Sequence, residues 1–150
     1  MLKATIALPD KDKGFYRGTR FDWAGMVSSV TYGDQEYYGL WFDEKAPNIR
    51  DFVFYKGKVV ASPQTSALGP VDAYDALGYA EAPVGGTFVK VGVGVMRKPD
   101  DQPYNQYRSY EIVDNGNWQV KTSGTQVEFT QTIKDAASGY GYTYRKVVRL

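Results

Sequence analysis

The chain has 150 residues, a formal net charge of +1, and neither cysteine nor histidine. This length suits a single domain with a sizeable core, and the balanced charge gives no basic excess for binding nucleic acid. The missing residue types exclude disulfides, thiolate metal sites, a cysteine nucleophile and a Ser-His-Asp triad.

The first part of the chain consists of short runs of β-forming residues separated by turns. Residues 2–8 form the first predicted strand, which ends at Pro9. Residues 26–32 and 36–41 flank a Gly-Asp pair, and this pattern predicts a β-hairpin. Residues 52–55 and 58–61 flank a Lys-Gly pair and predict a second hairpin, with an irregular insertion as the alternative.

The middle of the chain contains an irregular segment followed by a regular one. Residues 62–86 are rich in proline and glycine, and we expect a long functional loop with at most one helical turn, near residues 71–77. Residues 87–96 alternate valines with other residues, which predicts one continuous strand. Gly92 and Gly94 thin one face of that strand, so another backbone or a ligand is expected to approach there.

The last part of the chain contains further strand and turn signals. Residues 109–113 and 118–122 flank Asn115-Gly116, which is a strong hairpin signal. Residues 126–133 and 140–150 form the last two predicted strands. The sum is roughly nine or ten strands with almost no helix, which predicts an all-β fold, an antiparallel sandwich or barrel.

The segment with the clearest functional chemistry is Gly14-Phe-Tyr-Arg-Gly-Thr-Arg-Phe-Asp-Trp-Ala-Gly25. Its glycines let the backbone come close to another group, its arginines offer planar forks of donors, and its aromatic rings offer flat apolar faces. This combination suits a hydroxylated ligand such as a sugar. The alternative is a structural loop whose aromatic side chains pack against the end of a sheet and whose Arg20 and Asp22 pair with neighbours.

Three segments together resemble a bacterial group of galactose-mutarotase-like, or aldose 1-epimerase-like, proteins. They are Tyr16-Arg-Gly-Thr-Arg-Phe-Asp-Trp-Ala-Gly25, Gly85-Gly-Thr-Phe-Val-Lys-Val-Gly-Val-Gly94 with Arg97-Lys-Pro99, and Tyr110-Glu-Ile-Val-Asp114. The resemblance runs in order over nearly the whole chain. It implies a large antiparallel β-sandwich that binds carbohydrate in a cleft on one sheet, and an activity that interconverts the α and β anomers of a hexose.

The chain also departs from this family. Its members are usually nearer twice this length, so residues 1–150 are expected to form a single β-sandwich domain or the N-terminal half of one. The family's general acid is a histidine and its general base a glutamate, both from the later half. Anomer exchange needs both, because the base takes the proton of the anomeric hydroxyl while the acid protonates the ring oxygen. We therefore expect no catalytic residue in this chain, which would be inactive alone.

The resemblance also implies sugar-binding roles for individual residues of the first segment. An early arginine in the family contacts sugar hydroxyls, and Arg20 is the candidate for that role, with Arg17 as the substitute. Trp23 and Trp41 are candidates for stacking on the apolar face of a sugar, and packing in the core or at the rim is the alternative for both.

Three charged residues complete the predicted site. Asp22 is expected either to accept protons from sugar hydroxyls or to orient a neighbouring arginine, and the orienting role is favoured. Glu81 and Lys90 flank the step from loop to strand that would face the cleft. Structural salt bridges are the alternative for each of the two.

Two other functions stay open at this stage. One is a stand-alone carbohydrate-binding β-sandwich without catalysis. The other is a glycoside-cleaving enzyme, which needs two carboxylates at a set separation. The candidate pairs are Glu81 with Glu128 and Asp22 with Glu111, but these acids lie in unrelated elements.

A small-molecule sugar is the expected partner, rather than nucleic acid or a membrane. No cofactor or metal is expected, since Asp72, Asp75, Asp100 and Asp101 lack the Asp-x-Asp-x-Asp-Gly spacing of a calcium loop. An open sheet edge or face would allow self-association. The chain shows no signal-peptide core and no apolar run near the ~18 residues of a membrane helix. A cytoplasmic location, or a chain from which a signal has been removed, fits best.

Overall fold

The computed structural model describes all 150 residues, which form thirteen β-strands and no helix. This confirms the all-β class that the short β-forming runs predict. The strands are β1 (Leu2–Ala7), β2 (Met26–Tyr32), β3 (Gln35–Tyr38), β4 (Glu44–Lys45), β5 (Val53–Tyr55), β6 (Lys58–Ala61), β7 (Ala76–Leu77), β8 (Thr87–Lys90), β9 (Gly94–Arg97), β10 (Ile112–Asp114), β11 (Asn117–Ser123), β12 (Gln126–Asp135) and β13 (Tyr140–Arg149).

The strands form four open sheets, ordered β1-β2-β3, β10-β9-β8-β7, β11-β12-β13 and β4-β6-β5. The first three are antiparallel throughout. The fourth combines an antiparallel β5–β6 pair with a short parallel β4–β6 pair. None of the sheets closes into a barrel, so the arrangement is sandwich-like. No helix in the structure is long and apolar enough to cross a membrane.

The sheet of β7–β10 packs against the sheet of β11–β13 through buried aliphatic side chains. Val89 on β8, Val95 on β9 and Ile133 on β12 form one cluster, and each is at most 3% exposed. A larger cluster connects loop residues Tyr16 and Trp23 to the buried faces of β2, β8 and β9. The 14–25 segment is therefore part of the core as well as of the surface.

Two predicted hairpins are confirmed, since β2 and β3 pair around the Gly-Asp turn and β5 and β6 pair around Lys56-Gly57. The last two predicted strands also form, and as β12 and β13 they pair along ten residues each. In each case the turn residues and the β-forming runs on both sides are adjacent in sequence, which is the situation in which local patterns predict pairing.

The continuous strand predicted over residues 87–96 is wrong. The chain turns back after β8 and returns as β9, and the Val93 amide donates to the Lys90 carbonyl at 3.1 Å in this turn. Gly92 at φ 75° and Gly94 at φ 136° supply backbone that other residues rarely adopt. Val89 lies on β8, Val95 lies on β9, and Val91 and Val93 lie in the turn between them. The period-two pattern therefore continues through the turn and gives no sign of it.

The hairpin predicted around Asn115-Gly116 is also wrong, because β10 pairs with β9 while β11 pairs with β12. The Asn115 side chain donates to the Val93 carbonyl at 2.5 Å and accepts from the Trp118 indole at 3.1 Å. Asn115 therefore fixes a corner between two sheets rather than a turn within one. Residues 71–77, where at most one helical turn was expected, contain no helix and only the two-residue strand β7.

Candidate functional site

The 14–25 segment is a loop that distant parts of the chain hold in place. The backbone amides of residues 17, 22 and 23 donate to the carbonyls of Pro63, Asp72 and Gly92, at 2.7, 2.9 and 3.0 Å. These bonds satisfy buried backbone donors that have no strand partner. They also give the loop a fixed path, which determines which of its side chains face outward.

Tyr16 organises the turn within this loop. Its hydroxyl accepts the Phe21 amide at 3.1 Å, and the Trp23 indole donates to the Gly18 carbonyl at 2.7 Å. A Cβ on Gly18 would lie 2.4 Å from the Tyr16 hydroxyl oxygen, so only glycine fits there. Burial raises the pKa of Tyr16 to about 12, so its hydroxyl keeps its proton and its structural role at neutral pH.

Asp22 lies at the centre of a buried polar network. It is fully buried, and its carboxylate accepts the Asp72 amide at 2.7 Å, the Lys146 ammonium at 2.7 Å and the Tyr144 hydroxyl. Burial first, and then the Asp22 carboxylate, raise the pKa of Tyr144. Asp22 forms no hydrogen bond with Arg20, so the favoured orienting interaction is not seen. Its contacts attach the loop to β13 instead.

Trp23 and Lys90, two other predicted site residues, lie in the interior. Trp23 is 1% exposed, so neither face of its ring is open to a ligand. Lys90 is fully buried, and its ammonium donates to the Tyr104 hydroxyl at 2.7 Å. Burial, followed by the nearby positive charge of Arg20, lowers the pKa of Lys90 to about 8.

Arg17 and Glu81 lie apart from the other predicted residues. The Arg17 guanidinium donates to the Asp12 carbonyl at 2.8 Å, and its Nε is buried without a partner. Glu81 is exposed and forms no ion pair. Neither side chain lines the cleft described next.

Arg20 and Trp41 lie together on a surface cleft of about 640 Å³. One wall is the 14–25 loop, the second is formed by residues 41 and 50–52, and the third by residues 106–109. The exposed aromatic rings of the cleft are Trp41, Phe52 and Tyr107, at 41%, 56% and 73% exposure. Its charged side chains are Arg20, Arg50, Asp51 and Arg108. We call this feature the arginine–aromatic cleft.

The Trp41 ring is held in a defined orientation at the cleft. Its indole nitrogen donates to the Ala67 carbonyl at 3.2 Å. Phe52 meets it edge-on, with ring centroids 5.7 Å apart and an interplanar angle of 89°. This edge-to-face geometry is one that aromatic pairs favour, and it leaves part of each ring exposed to solvent.

The walls of the cleft are also connected to each other. The Thr19 hydroxyl donates to the Arg108 carbonyl at 3.3 Å and accepts the Tyr110 amide at 3.3 Å. These two bonds fix the 14–25 loop against the 106–109 loop. The Arg20 guanidinium lies between the rings of Phe21 and Tyr107, at 4.7 and 4.4 Å from their centroids.

Sequence reasoning did not identify Arg50, Phe52, Tyr107 and Arg108, which also line the cleft. Each belongs to a short stretch in which an arginine lies beside or close to an aromatic residue, as Arg20 lies beside Phe21. The same pairing of an arginine with an aromatic residue recurs at residues 50–52 and 107–108, and this recurrence could have indicated these residues from the sequence. The convergence of three such stretches depends on the fold and could not be deduced from local sequence.

A more open depression of about 790 Å³ adjoins the cleft on the other side of the 105–108 loop. Its lining includes Tyr74, Asp75 and Tyr104, and it shares Gln106 and Arg108 with the cleft. No tryptophan or phenylalanine lines it, and its only arginine is paired with Asp100. The arginine–aromatic cleft is therefore the stronger ligand site on chemical grounds.

Three of the four carboxylates considered for glycoside cleavage have structural partners, and Glu81 is the exception. Glu128 forms an ion pair with Arg145 between β12 and β13, and Glu111 pairs with Arg97 at 2.9 Å. No group of three or more Asp or Glu side chains is arranged to hold a metal ion.

Comparison of the chain with known proteins identifies no relative. No family model matches the chain, and no curated protein or solved structure matches it either.

Proposed function

We propose that this chain binds a carbohydrate in the arginine–aromatic cleft. The observation that carries the proposal is the presence of three exposed rings, Trp41, Phe52 and Tyr107, beside arginine donors in one concave surface. The apolar face of a pyranose can stack on such rings while its hydroxyls accept hydrogen bonds from guanidinium groups. Concave sites with aromatic walls and a few polar groups are typical of small-molecule binding.

We further propose that the chain is the carbohydrate-binding portion of an aldose 1-epimerase-like protein, with a β-sandwich of the galactose mutarotase-like type. The ordered motifs and the packing of two antiparallel sheets support this proposal. Anomer interconversion of a hexose would then be an activity of the full-length protein. Its general acid and base would come from residues beyond this chain, since the chain contains no histidine.

A second candidate is a stand-alone, non-catalytic carbohydrate-binding β-sandwich. The observation that favours it is the pairing of β13 with β12 over ten residues, extended by the Leu150 amide, which donates to the Thr125 carbonyl at 2.9 Å. Both candidates place no acid–base pair in this chain. Accelerated mutarotation of α-glucose by the purified chain, followed by polarimetry, would therefore contradict both.

Isothermal titration with neutral and acidic monosaccharides tests binding in the cleft. We expect Trp41→Ala and Phe52→Ala to lower the affinity about tenfold each, because each removes a stacking surface. Phe54→Ala is the matched control, since Phe54 is 74% exposed but does not line the cleft. An equal loss in all three variants, or no binding by the unmodified chain, would contradict the proposal.

A further inference from the structure

The charges that line the arginine–aromatic cleft are not balanced. Arg108 is neutralised by Asp100, with nitrogen–oxygen contacts of 3.0 and 2.8 Å. Arg20 and Arg50 form no ion pair with any acidic side chain. The one acid of the cleft, Asp51, accepts the Phe52 amide at 2.8 Å. Asp51 keeps its negative charge but pairs with neither arginine, so two guanidinium groups line the cleft without an ion-pair partner.

The surroundings of Arg20 determine which ligand atoms it can meet. Phe21 and Tyr107 lie against its guanidinium, with ring centroids at 4.7 and 4.4 Å. Its Nε is buried and has no hydrogen-bond partner, so the donors left for a ligand are those of the two terminal nitrogens. A planar fork of donors matches a group with two or more acceptor oxygens, such as a carboxylate or a phosphate. A single hydroxyl would satisfy only part of the fork.

The positive charge of Arg20 also affects Lys90, which lies in the protein interior. After burial, it is the largest cause that lowers the pKa of Lys90 to about 8. Lys90 has a neutral partner, the Tyr104 hydroxyl, at 2.7 Å. The Asp75 carboxylate offsets part of the effect on the pKa of Lys90, but it forms no ion pair with Lys90. A bound anion would reduce the repulsion between the two cations that remains.

We propose that the cleft binds a saccharide that carries an anionic oxyacid group, either a carboxylate or a phosphate ester. The sugar ring lies against Trp41 and Phe52, and the anionic group accepts hydrogen bonds from Arg20 and Arg50. This inference rests on the proposed carbohydrate-binding function and narrows it to a class of ligand. Binding a neutral saccharide would leave charged donors without acceptors of matching charge, which costs affinity.

The test compares sugars that share one ring and differ at the sixth carbon: glucose, glucuronate and glucose 6-phosphate. Acetate and inorganic phosphate report on the anionic group alone. In calorimetric titrations at about 0.05 M salt, we expect glucuronate or glucose 6-phosphate to bind at least about tenfold more tightly than glucose. Whichever of the two binds better identifies the anionic group. The preference should shrink at about 0.5 M salt, because screening weakens exposed charge interactions.

Substitutions connect this preference to the cleft. Arg20→Gln should remove the advantage of the anionic sugar, by about tenfold to hundredfold, and should lower the affinity for glucose by a much smaller factor, because the glutamine amide can still donate to a hydroxyl. Arg20→Lys keeps the charge without the fork and should fall between the two. Arg149→Gln is the matched control, because Arg149 is an exposed arginine on β13 with no acidic partner.

The outcomes separate the inference from the function on which it rests. If glucose binds as tightly as the anionic sugars, the inference is wrong while carbohydrate binding stands. If inorganic phosphate or acetate binds as tightly as the matching sugar, the inference is also wrong, because the ring contributes nothing. If none of the sugars binds, both fail. A near-ultraviolet circular dichroism spectrum that matches the unmodified chain establishes that the Arg20 variants are folded.

Discussion

Arg20 and Asp22 are two residues apart, yet the Asp22 carboxylate has a charged partner within the protein and the Arg20 guanidinium has none. Asp22 is fully buried and is met by the Lys146 ammonium, the Tyr144 hydroxyl and a backbone amide. Arg20 lies at the cleft between two aromatic rings and has no acidic partner. The negative charge of Asp22 is neutralised by Lys146 within the protein. The positive charge of Arg20 is available to a ligand in the cleft.

This difference between Asp22 and Arg20 indicates that one residue of the loop supports folding and the other supports ligand binding. A buried carboxylate must be paired, because an uncompensated buried charge is strongly destabilising. The guanidinium of Arg20 lines the cleft, and its terminal nitrogens tolerate having no protein partner, since water in the cleft can solvate them. Residues of the first kind should therefore affect folding, and residues of the second kind should affect binding.

The largest expected effect comes from removing the partner of the buried charge. Lys146→Met leaves the Asp22 carboxylate without its cation and should lower the free energy of unfolding by about 3–5 kcal/mol. Urea denaturation measures this change. Lys121→Met is the matched control on β11, where the lysine is exposed and forms no ion pair. A loss no greater than that of the control would contradict the structural role of the network.

The next effect tests how closely the backbone approaches Asp22. Gly92→Ala would place a Cβ 2.3 Å from the Asp22 Cβ at a φ of 75°, and should cost about 2–4 kcal/mol of unfolding free energy. Gly33→Ala has a similar φ of 60° but nothing within 4 Å of the new Cβ, so it should cost about 1 kcal/mol. Thermal unfolding of both variants separates the clash from the backbone strain, and equal losses would mean that no close approach exists.

Lys90 predicts a dependence of stability on pH. Its pKa is lowered from 10.5 to about 8, so between these values the unfolded chain binds more protons than the folded one. The free energy of unfolding should therefore rise with pH in this window, by at most about 3 kcal/mol in total. Below about pH 8 the full penalty of burying the charge is present.

Lys90→Met should remove this rise, which urea denaturation between about pH 7 and about pH 9.5 can measure. The upper pH limit avoids ionisation of the tyrosines. A buried tyrosine with a raised pKa, such as Tyr16, lowers the free energy of unfolding as the pH rises above 10. Parallel profiles for the variant and the unmodified chain would show that Lys90 does not titrate in this window.

The smallest expected effect on stability belongs to Arg20. Arg20→Gln removes two cation–aromatic contacts and no hydrogen bond, so the free energy of unfolding should change by less than about 1 kcal/mol. Urea denaturation of the variant used for the binding experiments measures this. A loss above about 2 kcal/mol would mean that Arg20 supports the fold as Asp22 does, and the contrast between the two residues would fail.

Local sequence patterns predict the structure where partners are adjacent in the chain. The β2–β3 and β5–β6 hairpins follow from a turn pair between two β-forming runs. The same reasoning fails at residues 87–96, where the alternating valines continue through the turn between β8 and β9. It also fails at Asn115-Gly116, where the chain conformation depends on contacts between distant segments, such as the bond from Asn115 to Val93.

The candidate site shows the same division. Arg20 and Trp41 were predicted from residue chemistry and from the family resemblance, and both line the cleft. Residue chemistry cannot distinguish Trp41 from Trp23, however, because the difference lies in burial, at 41% and 1% exposure. The contribution of Arg50, Phe52 and Tyr107 depends on how three loops converge, which is a property of the tertiary structure.

The most direct test of the account is a nuclear magnetic resonance titration of the isotope-labelled chain with glucuronate, glucose 6-phosphate and glucose. We expect the backbone amide signals of Arg20, Trp41, Phe52 and Tyr107, and the indole signal of Trp41, to shift on binding. The backbone amide signals of the buried residues Asp22 and Trp23 should shift less. Shifts that map to another face of the protein, or no shifts with any of the three sugars, would contradict it.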